Sequence, residues 1–519
     1  MGEFLPVFDA IREAFERALF TGAVTCGIFS ALFAIASAVC AQIFWGKEAP
    51  KKRRTPPGRT GPPAEGAGVT ILKPLKGLDR GMYENLASFL SQDHPRFQVI
   101  FCLHDPEDPA LPLLRALKAD FPETDAEIVI SGHRIGYNPK VNNLSNAIPY
   151  IKHDLLMLSD SDVRVDVDFL RRAVLVMEDP SVGLATYFYV SQGGGGVGSA
   201  LEALSVNAQF LPQAVTAAVL GGMRFAMGAA ILVRRSVFDA AGGFPALSGH
   251  LADDFHLGEA VASLGSRVEI ARSVVTTVPE DLGWREHFSH MVRWMSTIRA
   301  CSPAGYLGSA LLQGFSLLCL HALLFGPTAL TLSLLILTAA CRLGSVAWIH
   351  TVTLRNPRML RLLPLLPLSD LLQTAAWVAG LRTRTVSWRG ETYSVEPSGR
   401  LHPSLPRLRP LVLCPGPAAH DPRRRPSSLT RHRVLPAPDR GSAARGADGT
   451  LAVPGGGGDP TTGPCLDRAF LPRCLAGAAT GTSLGPGAPG NGRPLRGRLL
   501  EPGGAPAGTH LRLPAGGRD

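Results

Sequence analysis

The sequence predicts an α/β domain held between membrane helices and followed by a disordered tail. Three observations carry this expectation. Short apolar runs alternate with helical patterns between Val69 and Cys301, long uncharged apolar stretches lie on either side, and the composition changes abruptly at Pro397. A chain of 519 residues allows roughly two to four domains. It is long enough to bury a large core without a metal or disulfide staple.

Residues 1–17 form an N-terminal segment carrying Glu3, Asp9, Glu13 and Glu16. Ala18–Trp45 then runs without a charge, enough to cross a hydrocarbon core of about 30 Å. Lys47, Lys51, Lys52, Arg53 and Arg54 follow directly, and the positive-inside rule puts what comes next in the cytoplasm. Ala36-Ser37-Ala38 resembles a signal cleavage site, but the acidic flank and the length of the run favour an anchor. Residues 46–68 are a linker, Pro/Gly-rich from Thr55 to Gly68.

Residues 69–301 read as a cytosolic α/β domain. Val69–Leu72, Val99–Cys102, Glu127–Ile130 and Leu155–Leu158 have the apolar continuity of buried parallel strands, and helical patterns such as Asp108–Phe121 separate them. Ligands bind at the carboxyl ends of such strands. Residues 302–396 are a second membrane region. Tyr306–Phe325 and Thr328–Ile349 are membrane helices on either side of Gly326-Pro327. Leu362–Leu381, interrupted by Pro364 and Pro367, is either a third helix or an interfacial segment, and Arg342 inside the second stretch leaves the count open.

The formal net charge of +10 first suggests nucleic-acid binding. Its location argues otherwise. Of 52 basic and 42 acidic residues, 17 Arg and 7 acidic residues lie in 397–519, so 35 of each remain before it and the folded part is neutral. The same segment holds 20 Pro and 22 Gly but no Ile, Met, Trp or Tyr, a composition that cannot bury enough apolar surface to order itself. Its arginines (Arg423, Arg424, Arg425, Arg431, Arg433) suit anionic headgroups, and an out-of-frame extension would have the same composition. The nine cysteines include no CxxC pair, which disfavours a zinc site or disulfide framework and fits a reducing compartment.

Three acidic sites stand out. Asp105, after Val99–His104, reads by itself as a strand-end turn residue. Leu155–Ser159 runs into Asp160-Ser161-Asp162, and a turn there can bring both carboxylates to one hard cation, Mg2+ or Mn2+. Such a cation neutralises the diphosphate of a departing nucleotide. Asp253-Asp254 follows a Gly-rich turn (Ala241–Phe244) and opens a helical pattern. It is either a helix cap or the source of a general base for an acceptor hydroxyl. Finally, His290-Met291-Val292-Arg293-Trp294 offers a cation and a flat ring for a diphosphate and a sugar, or an ordinary interfacial Arg–Trp pair.

In this order, and between membrane segments, these motifs resemble the D, D, D, (Q/R)xxRW signature of membrane-bound glycosyltransferases. More closely, the chain resembles the ceramide glucosyltransferase family (glycosyltransferase family 21) and its bacterial hopanoid-associated relatives. The matching stretches are Ile71–Gly77, His104–Ala110, Asn138–Leu144, Ser159–Val165 and Val386–Arg389, and the resemblance covers residues 18–396.

The resemblance implies an A-type nucleotide-sugar glycosyltransferase domain, a mixed sheet flanked by helices. It also implies inverting transfer of glucose or N-acetylglucosamine from a UDP-sugar to a lipid acceptor, hopanoid or ceramide, at the cytoplasmic face of a bacterial inner membrane. It gives Asp105 to the uridine, Asp160 and Asp162 to the metal and diphosphate, Lys140 and Asn142 to the donor, and Arg293 and Trp294 to the diphosphate and sugar. Asp254, beside Asp253, would be the base. His290 departs from Gln or Arg and is the form of the hopanoid-associated branch. A processive polysaccharide synthase of the same superfamily would carry Gln at 290 and more channel-forming helices. A non-catalytic membrane scaffold would rely on the Arg-rich tail.

Overall fold

The computed structural model describes residues 5–46, 66–221, 224–388, 391–396 and 398–403. The expectations for the basic residues 47–54, most of the linker, Arg389 and the tail beyond residue 403 lie outside the described residues.

The central sheet comprises β1 (Val69–Pro74), β2 (Phe97–Leu103), β3 (Ala126–Ile130), β4 (Leu155–Ser159), β5 (Val163–Arg164), β6 (Val182–Ser191), β7 (Ala230–Arg234) and β8 (Arg267–Thr277). Their order is β3-β2-β1-β4-β7-β6-β8-β5. The four strands read from the apolar runs are parallel neighbours. β7 runs antiparallel to β4 and β6, and β5 antiparallel to β8, so the sheet is mixed.

Both faces are covered, which is why the strands are apolar throughout rather than alternating. Ile71, Phe101 and Met157 pack with Leu86, Phe89 and Leu114 on one face. Their strand neighbours Leu72, Cys102 and Leu158 pack with Leu144, Phe244 and Leu257 on the other. The register pairs Leu72 with Leu158. The next residues, Lys73 and Ser159, therefore meet at the carboxyl ends of β1 and β4.

One element within 69–301 departs from the reading of that segment as soluble. Val197–Leu220 is a helix long and apolar enough to cross a membrane, with a π-helical turn at Ser205–Phe210. Its polar residues hid it in the sequence, yet they turn into the protein. Asn207 exchanges hydrogen bonds with the Ser191 backbone and its carbonyl meets His350 Nε2 at 3.0 Å. Leu211 and Val215 join Ala41 of the N-terminal helix in one apolar cluster.

Three other described helices pass the same test of length and hydropathy, and a bent pair makes a possible fifth span. The N-terminal helix, Leu5–Gly46, begins well before the expected anchor. The stretch expected as Tyr306–Phe325 is broken, with Pro303–Leu312 and Gly314–Phe325 meeting at 54°. Ala329–Trp348 and Leu366–Arg382 follow. Pro364 sits in a 3-10 stretch and Pro367 in the first turn of the last helix, so neither breaks it.

Arg342 does not interrupt its helix either. Its guanidinium reaches Asp370 Oδ1 at 2.9 Å and Oδ2 at 3.4 Å, and donates to the Ala208 carbonyl at 2.6 Å. An ionised residue at membrane depth needs such a partner inside the protein.

A second sheet, β9 (Thr385–Trp388), β10 (Glu391–Val395) and β11 (Leu401–Pro403), extends the folded part past the expected boundary at 396. Leu401 N–H donates to the Gly249 carbonyl, and Leu251 N–H to that of Gly399. Leu251, Val386, Tyr393 and Leu401 share a small core. This sheet braces the loop that leads into Asp253-Asp254. Deleting 404–519 should therefore leave the melting temperature of the purified protein unchanged. Deleting 397–519, which removes β11, should lower it by several degrees, and equal melting of the two truncations would count against this bracing.

Candidate active site

The site begins at the carboxyl ends of β1 and β4. Lys73, fully buried, donates to Ser159 Oγ at 3.0 Å and to the Asp160 carbonyl at 2.8 Å. Its ammonium lies 3.4 Å from the centre of the Phe89 ring. Burial pushes this lysine well below its ordinary range, and Asp160 and Asp162 oppose that push. Lys73 thus ties the start of the Asp160-Ser161-Asp162 turn to β1. Ser161 Oγ donates to Asp79 Oδ2, fixing the turn from the other side.

Asp162 is pushed up to about 7, first by burial and then by Asp160 and Asp79, with Lys73 pulling the other way. Crowded oxygen donors of this kind fit a hard divalent cation. Among the described residues no group of three or more His, Cys, Asp or Glu could hold a metal alone. At the turn, Asp160 and Asp162 are the carboxylates that could meet such a cation, and further positions would then be left for diphosphate and water oxygens, the usual arrangement for Mg2+.

Lys140 connects this turn to the second pair of aspartates. Its ammonium is 2.7 Å from Asp160 Oδ1 and 3.6 Å from Asp253 Oδ2. Burial would lower its pKa, but Asp160, Asp253 and Asp254 together raise it, so it stays charged. Asn138, which the sequence reading did not single out, caps the helix Pro139–Ser145 through Val141 N–H and donates to the His250 carbonyl and Asp253 Oδ1.

Asp253 and Asp254 do open a helix, Asp253–Ser263. Asp254 Oδ1 accepts from its neighbour Phe255 N–H at 2.8 Å. Burial and then Asp253 push its carboxyl up to about 6, against Lys140. A Cβ at Gly228 would come within 2.9 Å of Asp254 Oδ2, so glycine there admits the carboxylate.

His290, Arg293 and Trp294 share the helix Trp284–Cys301. The His290 and Trp294 rings meet edge to face, 5.0 Å apart. Glu202, a lone acid in the apolar helix Val197–Leu220, accepts from both histidines of this helix: His287 Nδ1 at 2.8 Å and His290 Nδ1 at 2.9 Å. Tyr189 of β6, half-buried, has its hydroxyl pushed up by burial and by the fields of Asp254, Glu202, Asp160 and Asp162.

Two expected residues make local contacts. Asn142 spends its side chain on the backbone of Ile135 and Gly136, bracing a loop rather than entering the carboxylate cluster. Asp105 caps its own turn by accepting from Glu107 N–H at 2.9 Å. Its neighbour Asp108 accepts from Gly77 N–H and Ala110 N–H, pinning the loop after β1 to the loop after β2. An open depression of about 800 Å³ along the edge strand β3, lined by Lys118, Ile130 and Tyr150 among others, contains none of the expected residues.

Residues 28–401 match the family described as Glycosyl transferase family 21. The chain belongs to this family. It is 27% identical over 237 residues to ceramide glucosyltransferase 1 of Caenorhabditis elegans, covering 46% of this chain and 51% of that one. It is 37% identical over 120 residues to the ceramide glucosyltransferase of Candida albicans, covering 21% and 22%. The chain thus spans about half the length of the nematode relative and less of the fungal one. Among solved structures it is similar to the mannosyltransferase PcManGT from Pyrobaculum calidifontis in complex with GDP-Man and Mn2+, at 16% identity and a TM-score of 0.38, over 69% of this chain and 97% of that one. It is also similar to residues 1–349 of Staphylococcus aureus TarS with UDP-GlcNAc, at 11% identity and a TM-score of 0.31, over 65% and 100%.

The raised carboxyl of Asp162 has a consequence for stability. A carboxyl raised in the folded state favours folding at pH values below its unfolded pKa near 4, and that contribution is lost as the pH rises through about 7. Asp162→Asn should therefore raise the melting temperature by a few degrees at pH 7.5 in chelator, and the gain should shrink as the pH is lowered toward 4. A variant that melts below the parent protein at pH 7.5 would contradict this.

Proposed function

We propose that the chain transfers glucose or N-acetylglucosamine from a UDP-sugar to a hydroxyl of a membrane lipid, hopanoid or ceramide, with inversion at the anomeric carbon. The observation that carries this reading is Asp254. It is a carboxylate raised to about 6, and Lys140 links its neighbour Asp253 to Asp160. A base poised near neutral pH beside a diphosphate site is what a single displacement requires.

The lipid oxygen forms a bond to the anomeric carbon from the side opposite the nucleotide. The bond from that carbon to the UDP oxygen breaks with its electron pair, and the hydroxyl proton passes to Asp254. Asp160 and Asp162 would hold a divalent cation, Mg2+ or Mn2+, which neutralises charge on the departing diphosphate. Asp105 would face the uridine, with Lys140 on the donor side. Arg293 adds positive charge that cannot be lost by deprotonation, and Trp294 adds a flat apolar surface for the sugar. Asp253 keeps Lys140 in place, 3.6 Å away. Glu202 fixes the tautomer of His290 by taking its Nδ1 proton in a hydrogen bond.

In this reading the four to five candidate spans anchor the chain in a bacterial inner membrane. The catalytic domain, residues 69–301 with its inserted helix, faces the cytoplasm, and the C-terminal region returns to it the sheet β9–β11.

Incubating membranes with labelled UDP-glucose or UDP-N-acetylglucosamine and identifying the labelled lipid by mass spectrometry tests the reaction. Failure to label any lipid with either donor would refute it. Asp254→Asn should lower kcat by roughly 10²–10⁴-fold while UDP-sugar binding, followed calorimetrically, persists. Because the base must be ionised, kcat/KM should fall tenfold per pH unit below about 6. A flat profile down to pH 5 would remove Asp254 from this role.

A further inference from the structure

The membrane helix Ala329–Trp348 runs on through a π-helical turn, Ile349–Thr353, and ends just before Arg355. Among the described residues Arg355 is the one non-glycine at positive φ, 53°. Asn356 N–H closes the helix end by donating to the His350 carbonyl at 2.6 Å. Glycine is the usual residue where a helix stops in this left-handed conformation, because a Cβ makes it costly. An arginine held there points to a use for its side chain.

A 3-10 helix, Pro357–Leu365, follows. With three residues per turn, side chains at i and i+3 stand one above the other, so this short sequence sorts into faces. Met359, Leu362 and Leu365 pack with Leu201 and Leu204 of the helix Val197–Leu220, and Asn207 Nδ2 meets Met359 Sδ at 3.4 Å. Arg358, Arg361 and Pro364 form an exposed face. Leu360 is exposed too, as are Trp348 and Val352 on the last turns of the membrane helix. Thr353 Oγ1 donates to Gln42 Oε1 at 3.2 Å, which brings these turns beside the end of the N-terminal helix at Gly46. An arginine face next to exposed apolar side chains, where two apolar helices end, has the form of an interfacial segment.

Arg355, Arg358 and Arg361 have no ion pair or side-chain hydrogen bond with any described residue. Between 302 and 388 the one acidic residue is Asp370, and Arg342 engages it.

We propose that Arg355, Arg358 and Arg361 bind the phosphate of an anionic phospholipid, whose acyl chains lie against the exposed apolar residues beside them. Guanidinium groups pair with phosphate through two parallel hydrogen bonds and stay charged at any working pH. A headgroup with net negative charge complements the three cations, whereas a zwitterionic one carries its own ammonium. The inference goes beyond sugar transfer and does not depend on it.

The test reconstitutes the full chain in nanodiscs of equimolar phosphatidylglycerol and phosphatidylcholine with matched acyl chains. Native mass spectrometry counts the lipid still bound on release. The parent should retain phosphatidylglycerol over phosphatidylcholine by about tenfold or more, and less strongly as salt rises from roughly 0.05 to 0.5 M. Arg358→Gln together with Arg361→Gln should bring the ratio close to one; both side chains are exposed, so folding should be unaffected. Arg355→Gly separates charge from strain. Its melting temperature should rise by about 2 °C while the ratio falls severalfold.

The chain has other basic runs, at Lys51–Arg54 and Arg423–Arg425. Replacing either run with Gln should leave the ratio at the parent value. A ratio near one in the parent would overturn the inference. So would a preference that survives Arg358→Gln with Arg361→Gln and disappears with one of the other runs. Neither outcome bears on the sugar-transfer reading, which the labelling experiment tests separately.

Discussion

Lys140 touches Asp160 at 2.7 Å and Asp253 at 3.6 Å, and through it the turn after β4 is joined to the helix that begins at Asp253. Around this contact five carboxylates (Asp79, Asp160, Asp162, Asp253, Asp254) gather with two buried ammonium groups, Lys73 and Lys140. Like charges about 4 Å apart cost on the order of 4 kcal/mol in surroundings of this kind. The imbalance therefore cannot be left as it stands. Burial first, and then this repulsion, raises the carboxyl groups of Asp162 and Asp254 to about 7 and about 6. The same repulsion that favours a divalent cation at one end of the cluster raises the basicity of a carboxylate at the other.

The sheet explains why such a cluster can exist. Four parallel strands pack apolar side chains on both faces. Lys73 and Ser159 stand together at the carboxyl ends, as the register shows. Loops then converge there from separate parts of the chain: Asn138 reaches across to His250 and Asp253, and Asp108 holds Gly77. Each of these bonds satisfies a buried polar group whose loss would cost about 1–3 kcal/mol.

Much of this was legible in the sequence because periodicity and composition report burial directly. The runs at Val69, Val99, Glu127 and Leu155 became β1, β2, β3 and β4, and Lys140 lies between Asp160 and Asp253, two residues that the resemblance singled out. What escaped was polarity that serves packing. Val197–Leu220 contains Ser199, Glu202, Ser205, Asn207, Gln209 and Thr216, which lower its hydropathy, and all six are buried in protein. A single charge in an otherwise apolar stretch was the available signal, at Glu202 as at Arg342. β11 escaped for the opposite reason, since three residues at the head of a Pro/Gly-rich segment carry no period to read.

That helix is also what makes the two halves of the molecule one device. Glu202 lies near its start and holds the helix of His290 and Trp294. Asn207, one turn on, is bonded to β6 of the sheet and to His350 at the end of a membrane helix. Gln209 then contacts Ser369 and Asp370 in the last of the apolar helices. The π-helical turn at Ser205–Phe210 widens the spiral, a feature that recurs at functional sites because it re-aims side chains. Glu202, Asn207 and Gln209 thus tie the helix of His290, the central sheet and the last apolar helix to one another.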